Sequence, residues 1–121
     1  MRHMDQPPDY CMQDGEKVWQ LAKTSDFTDA TEAADIDAVS FPPGVRTPPR
    51  YHRTLDEAFF VVSGEGRIRL GEETIELRAG CCVVARRGTV HSFETTQSPL
   101  TVLCICVPRY DTNDEHLAEK N

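Results

Sequence analysis

Three side chains in this sequence have the types and spacing that metal chemistry asks for: His52, Glu57 five residues later, and the distant His91. Each sits beside β-branched or aromatic residues, in Arg50-Tyr51-His52, Glu57-Ala58-Phe59-Phe60-Val61-Val62 and Val90-His91-Ser92-Phe93. Two imidazoles and one carboxylate suit Fe(II), Mn(II), Ni(II), Co(II) or Zn(II) and leave positions open for water or substrate. Side chains alternate faces along a strand. Arg50 and His52 therefore share a face, as do Glu57, Phe59 and Val61 on the next strand, and His91 and Phe93 on a later one. If those faces all look inward, the three ligands converge among apolar walls, with Phe59, Val61 and Phe93 lining the pocket. Glu57 then holds the metal or, unligated, acts as a general base. A plainer arrangement uses the same residues: His52 and His91 as hydrogen-bonded interior groups, and Glu57 paired with Arg50.

Arg50 is a cation at any physiological pH and cannot ligate a metal. Turned inward it offers a two-pronged grip on a carboxylate or phosphate and orients a small anionic ligand; turned outward it marks a degenerate site. Cys104 and Cys106 share a face of the last long apolar segment with Leu100 and Val102. They fit either as soft ligands or a redox partner, or as small apolar filler, the commoner role of a strand cysteine. Cys81 and Cys82 point to opposite faces. Arg67 and Arg69 alternate with Ile68 and Leu70 and are expected to face water, as is the Arg86-Arg87 turn.

The elements that must position these groups read as short strands. Segments 36–41, 50–53, 57–63, 67–70, 74–77, 82–85, 91–95 and 100–107 carry strand signals, separated by Pro42-Pro43-Gly44, Gly64-Glu65-Gly66, Gly71-Glu72-Glu73, Ala79-Gly80, Arg87-Gly88 and Gln97-Ser98-Pro99. Many short strands with Gly and Pro turns indicate an all-β sandwich or barrel, and eight suit a jelly roll of two Greek keys. Residues 1–16 read as an extended arm or tail, Val18 to Leu21 as an edge strand, and 25–35 as a loop with one helical turn after Ser25. Trp19 is the anchor between arm and barrel, or at a dimer contact. After residue 110 the chain is polar, with at most one helical turn around Glu115 to Ala118. The division is thus an N-terminal arm over 1–34, a β-barrel domain over 35–110 and a tail over 111–121.

With 121 residues the chain makes one domain, able to bury about two-thirds of its unfolded surface. The net charge of −7 argues against a nucleic-acid partner, which needs a basic face. No apolar run is long enough to span a bilayer, so no membrane partner is expected. No basic stretch followed by an apolar one opens the sequence. A cytoplasmic location with the five cysteines reduced follows as the expectation.

Two stretches resemble the paired motifs of the cupin superfamily, small single-domain bacterial members in particular. The first motif, Gly, five residues, His-x-His, four residues, Glu, six residues, Gly, is matched by Gly44, His52, Glu57 and Gly64, with Arg50 where the first His belongs. The second, Gly, five residues, Pro-x-Gly, two residues, His, three residues, Asn, is matched by Gly80, Gly88 and His91, with Arg86 for the Pro and Thr95 for the Asn. The closing Leu103 to Tyr110 is similar to the end of such proteins, and the resemblance covers roughly 36–110. It implies a double-stranded β-helix, a jelly-roll barrel with a divalent transition metal on His52, Glu57 and His91. It also implies a homodimer and an enzyme acting on a small organic acid or biosynthetic intermediate. An oxygenase, an isomerase or cyclase, and a lyase are all compatible, because this fold hosts unrelated activities. The alternative is a non-catalytic binding protein or sensor whose metal site has decayed at Arg50, Arg86 and Thr95. An N-terminal arm carrying Trp19 is expected to cover a partner's strand edge.

Overall fold

The computed structural model describes residues 1–28 and 34–118. Among the described residues ten antiparallel strands curl into a barrel: β1 (Tyr10–Cys11), β2 (Lys17–Ala22), β3 (Asp35–Phe41), β4 (Arg50–Tyr51), β5 (Asp56–Leu70), β6 (Glu73–Arg78), β7 (Cys82–Ala85), β8 (His91–Glu94), β9 (Leu100–Val107) and β10 (His116–Leu117). Neighbours run β1-β2-β3-β9-β5-β8-β4-β10, with β6 and β7 also paired to β5. The all-β jelly-roll expectation holds, and no described helix is long and apolar enough to cross a membrane.

Four strands pair directly with β5. Its first half pairs with β9 and β7, placing Glu57 opposite Cys106 and Ala85. Its second half pairs with β6 and β8, placing Ile68 opposite Ile75 and Phe93. Sequence had split this stretch into two strands at Gly64-Glu65-Gly66; the structure makes it one strand of 15 residues with a register shift between Val61 and Ser63. Gly64 carries it round the corner at φ +85, where a Cβ would lie 1.9 Å from the Pro99 carbonyl oxygen. The glycines there bend a strand rather than end it.

The alternation read from sequence sorts the interior. Phe59, Val61, Ile68, Leu77, Phe93, Leu100 and Val102 are buried in one cluster with Val18, Val39 and Phe41. Phe93 stacks on Phe41 and meets Phe59 edge-on, centroids 4.9 Å apart in both pairs. Thr95, where the motif expects Asn, donates Oγ1 to the Pro42 carbonyl at 2.6 Å and accepts from the Val45 amide at 3.0 Å. It ties down the turn before the first motif, work that an amide side chain would otherwise do.

Three segments differ from expectation. The arm is no free tail: β1 and β2 form a hairpin on the edge of β3, turned at Gly15 (φ +90), where a Cβ would meet Pro42 Cγ at 2.9 Å. Trp19, expected as an anchor between arm and barrel or at a dimer contact, is half-buried and donates Nε1 to the Gln6 carbonyl at 2.8 Å, a bond within the arm. The expected 50–53 strand is only Arg50–Tyr51, paired with β8 through Arg50 and His91. The C-terminal segment is a 3₁₀ turn over Thr112–Asp114 followed by β10, which pairs with β4, not a helical turn around Glu115. A strand edge left open at β4 accounts for this, since unpaired backbone groups there take the tail as a partner. The 3₁₀ turn at Thr24–Asp26 answers the helical turn expected after Ser25, while 29–33 of that loop lie outside the described residues.

Candidate metal centre and its pocket

His52, Glu57 and His91 come together from three different places. Glu57 stands near the start of β5, His91 begins β8, and His52 lies just past the end of β4. Their ligand atoms all fall within 4.8 Å of one another, and the three residues are buried or nearly so. Both imidazole Nε2 atoms face the same carboxylate oxygen, His52 at 3.3 Å and His91 at 3.6 Å from Glu57 Oε1.

The opposite ring nitrogens are held by backbone. His52 Nδ1 lies 3.0 Å from the Asp114 carbonyl and His91 Nδ1 lies 3.4 Å from that of Thr89. A carbonyl accepts only, so each Nδ1 carries a proton, and Nε2 is the ring nitrogen turned toward Glu57. Outer partners of this kind orient metal-binding imidazoles. Asp114 is in turn pinned: its carboxylate accepts from the Arg53 and Thr54 amides at 2.9 and 2.8 Å and from the Thr54 hydroxyl at 2.6 Å. Burial opposes ionisation of Asp114, but these bonds prevail and hold its carboxyl below the usual range.

Burial works against charge on both histidines. For His91 it dominates and pushes the imidazole down; for His52 burial is again the largest single influence, but the Glu57 bond and charge, the Asp114 carbonyl and Glu115 together outweigh it and the net shift is upward. Cys106 donates Sγ to Glu57 Oε2 at 3.6 Å. Burial, then the Glu57 charge, pushes the Cys106 thiol far up, and Cys104 goes the same way. Both thiols stay protonated. They are buried filler, with Cys106 also steadying the carboxylate.

Above the centre opens a cavity of about 320 Å³. Phe59 and Phe93 line it as expected, whereas Val61 is buried in the core away from it. Arg50 reaches its wall, but its partner is not Glu57: Nη1 bonds Glu115 Oε1 at 3.1 Å. Glu115 also accepts from the Tyr110 hydroxyl at 2.7 Å. Several lining residues went unnoticed in sequence: Tyr10, Met12 and Glu16 from the β1–β2 hairpin, Asp37 from β3, and Tyr110 and Glu115 from the C-terminal segment. The parity of Glu16, Val18 and Gln20 was the available signal for the hairpin. Nothing in the tail signalled Asp114 or Glu115.

A family model described as the cupin domain matches residues 38–106. The chain belongs to the cupin family. An uncharacterized protein of Methanocaldococcus jannaschii is 24% identical over 111 residues, covering 91% of this chain and 87% of its relative. Among solved structures, a double-stranded β-helix protein of Klebsiella pneumoniae superposes with a TM-score of 0.76 at 19% identity, covering 99% and 97% of the two chains. The polyketide cyclase RemF of Streptomyces resistomycificus superposes at 0.74 with 18% identity, covering 96% and 78%. At such identities the likeness is one of fold. Within the cupin frame this chain keeps one histidine of the first motif and the histidine of the second, and its Arg86 lies exposed just before the turn at Arg87-Gly88.

Proposed function

We propose that this cupin is a metal-dependent enzyme acting on a small organic acid, with His52, Glu57 and His91 holding a divalent Fe, Mn, Ni, Co or Zn ion. One observation carries the reading: two backbone-oriented imidazoles present Nε2 to one carboxylate oxygen in the wall of a cavity that mixes apolar and polar side chains. The donor set fits the metal, because each Nδ1 faces a backbone carbonyl and each Nε2 is left to face the Glu57 carboxylate. When bound, the ion polarises a carbonyl or carboxylate as a Lewis acid. The chain's own groups do the rest. Arg50 is placed to orient an incoming carboxylate, Phe59 and Phe93 exclude water, and Glu57 keeps one oxygen toward the imidazoles while Cys106 occupies the other. Isomerase or cyclase, lyase and oxygenase chemistry all remain compatible with this frame.

Arg50, in place of a further imidazole, favours a second reading: a non-catalytic binding protein built on the same barrel. Metal content separates the two. Protein purified without chelators should carry about one metal per chain, and His52→Ala or His91→Ala should lose it while unfolding stays cooperative. Turnover lost on stripping and restored by metal supports the enzyme. Full occupancy in both alanine variants would sink the site, and metal without any turnover across candidate acids would leave the binding protein.

A further inference from the structure

Glu16 is a carboxylate in the cavity wall whose placement the metal centre does not explain. It follows the Gly15 turn of the β1–β2 hairpin and is 8% exposed. Its Oε2 is buried with no hydrogen-bond donor among the described residues. A buried carboxylate oxygen without a partner is costly unless something else supplies the donor. The side chain lines the cavity beside Tyr10, Gln20 and Asp37, on the wall shared with Arg50 and Glu115. Arg50, the nearest cation, is already engaged by Glu115. Burial pushes the Glu16 carboxyl up to about 7; Arg50 opposes this, while Asp14, Glu115 and Glu57 add to it. The group thus exists both as acid and as carboxylate near neutrality.

We propose that Glu16 contacts the ligand, its carboxyl group bonding a hydroxyl group on a small hydroxylated acid held in this cavity. The inference deepens the function proposed above and rests on it for the acid end of the ligand. A hydroxyl is favoured over an ammonium on two grounds. It donates to a carboxylate and accepts from a carboxylic acid, matching Glu16 in either state. A cation would have to share the cavity with Arg50 and with any bound metal ion. The neighbouring wall is rich in acceptors and amphoteric groups (Asp37, Glu115, the Tyr10 and Tyr110 hydroxyls), which again suits hydroxyls.

The test uses gluconate and hexanoate, six-carbon monocarboxylates that differ in their hydroxyls. Each is titrated into the full chain, metal-loaded and chelator-treated, and followed by amide chemical shifts. Wild type should prefer gluconate, with shifts at residues 12–18. Glu16→Leu, an apolar replacement suited to a buried site, should cut that preference about tenfold while hexanoate affinity and metal content stay as in wild type. Glu16→Gln, which keeps an acceptor oxygen, should retain most of it. Equal preference in Glu16→Leu and wild type, or no gluconate preference in wild type, would overturn the inference. Metal content in the same samples reports separately on the metal reading: a Glu16-dependent preference in metal-free protein keeps the contact and removes the metal.

Discussion

The Arg50 guanidinium has two competing claims on it: Glu115, which it touches at 3.1 Å, and any carboxylate that enters the cavity. If it orients an anion, Arg50→Ala should weaken binding of carboxylate ligands by about 1.5 to 3 kcal/mol and leave the metal in place. Glu115→Gln should act oppositely, releasing the guanidinium and tightening those ligands. Unchanged affinity in both variants, measured by calorimetry, would remove Arg50 from ligand binding. Glu16 makes a prediction about pH. Its carboxyl sits at about 7 in the folded chain against an ordinary 4.5, so the native state binds more protons than the unfolded one between those values. Its contribution to stability is therefore full below pH 4.5 and is lost as pH rises through 7. Asp37, raised by burial to about 6, adds in the same direction. Urea unfolding should show Glu16→Gln losing less stability than wild type between pH 4.5 and 7.5, by about 1 to 3 kcal/mol. Parallel profiles would show that Glu16 is not held in this state.

At the scale of elements, the C-terminal segment is part of the metal centre although it contributes no ligand. The 3₁₀ turn over Thr112–Asp114 and β10 are fastened to the Arg53–Thr54 corner through the Asp114 carboxylate, and the Asp114 carbonyl faces the His52 ring. Asp114→Ala leaves two amides and a hydroxyl without their acceptor and lets that carbonyl drift. Stability should fall by about 2 to 4 kcal/mol, and metal affinity about tenfold or more. Chelator competition reads the second effect. A destabilised variant with unchanged metal affinity would make the tail a clasp only, with no part in orienting His52.

On the whole molecule, the outer face of β5 and β7 leaves Phe60, Val62 and Val84 between 38% and 52% exposed. Together they form an apolar patch on an otherwise acidic protein. The arm, expected to cover a partner's edge, pairs with β3 of its own chain, and we propose this apolar face for the two-fold contact instead. We expect a dimer by light scattering at micromolar concentration, converted to monomer by Phe60→Asp. A wild-type monomer would refute the assembly.

The barrel and its three metal-binding candidates were legible in the sequence because they rest on local rules. Period-two alternation sent Glu57, Phe59, His91 and Phe93 inward whatever their neighbours, and the spacing of Gly and Pro marked most strand ends. What sequence could not supply were the encounters between distant segments. Gly64 looked like a turn, and only the approach of Pro99 shows it bending a continuous strand. Arg50 read as a grip on a ligand anion or, more plainly, a partner for Glu57, and only the path of the tail brings Glu115 to it, 65 residues away. Glu16 looked like part of a polar arm until the hairpin turned its side chain into the cavity. Alternation sets which face a side chain takes; which other segment covers that face depends on chain closure over tens of residues, and that is decided only when the barrel shuts.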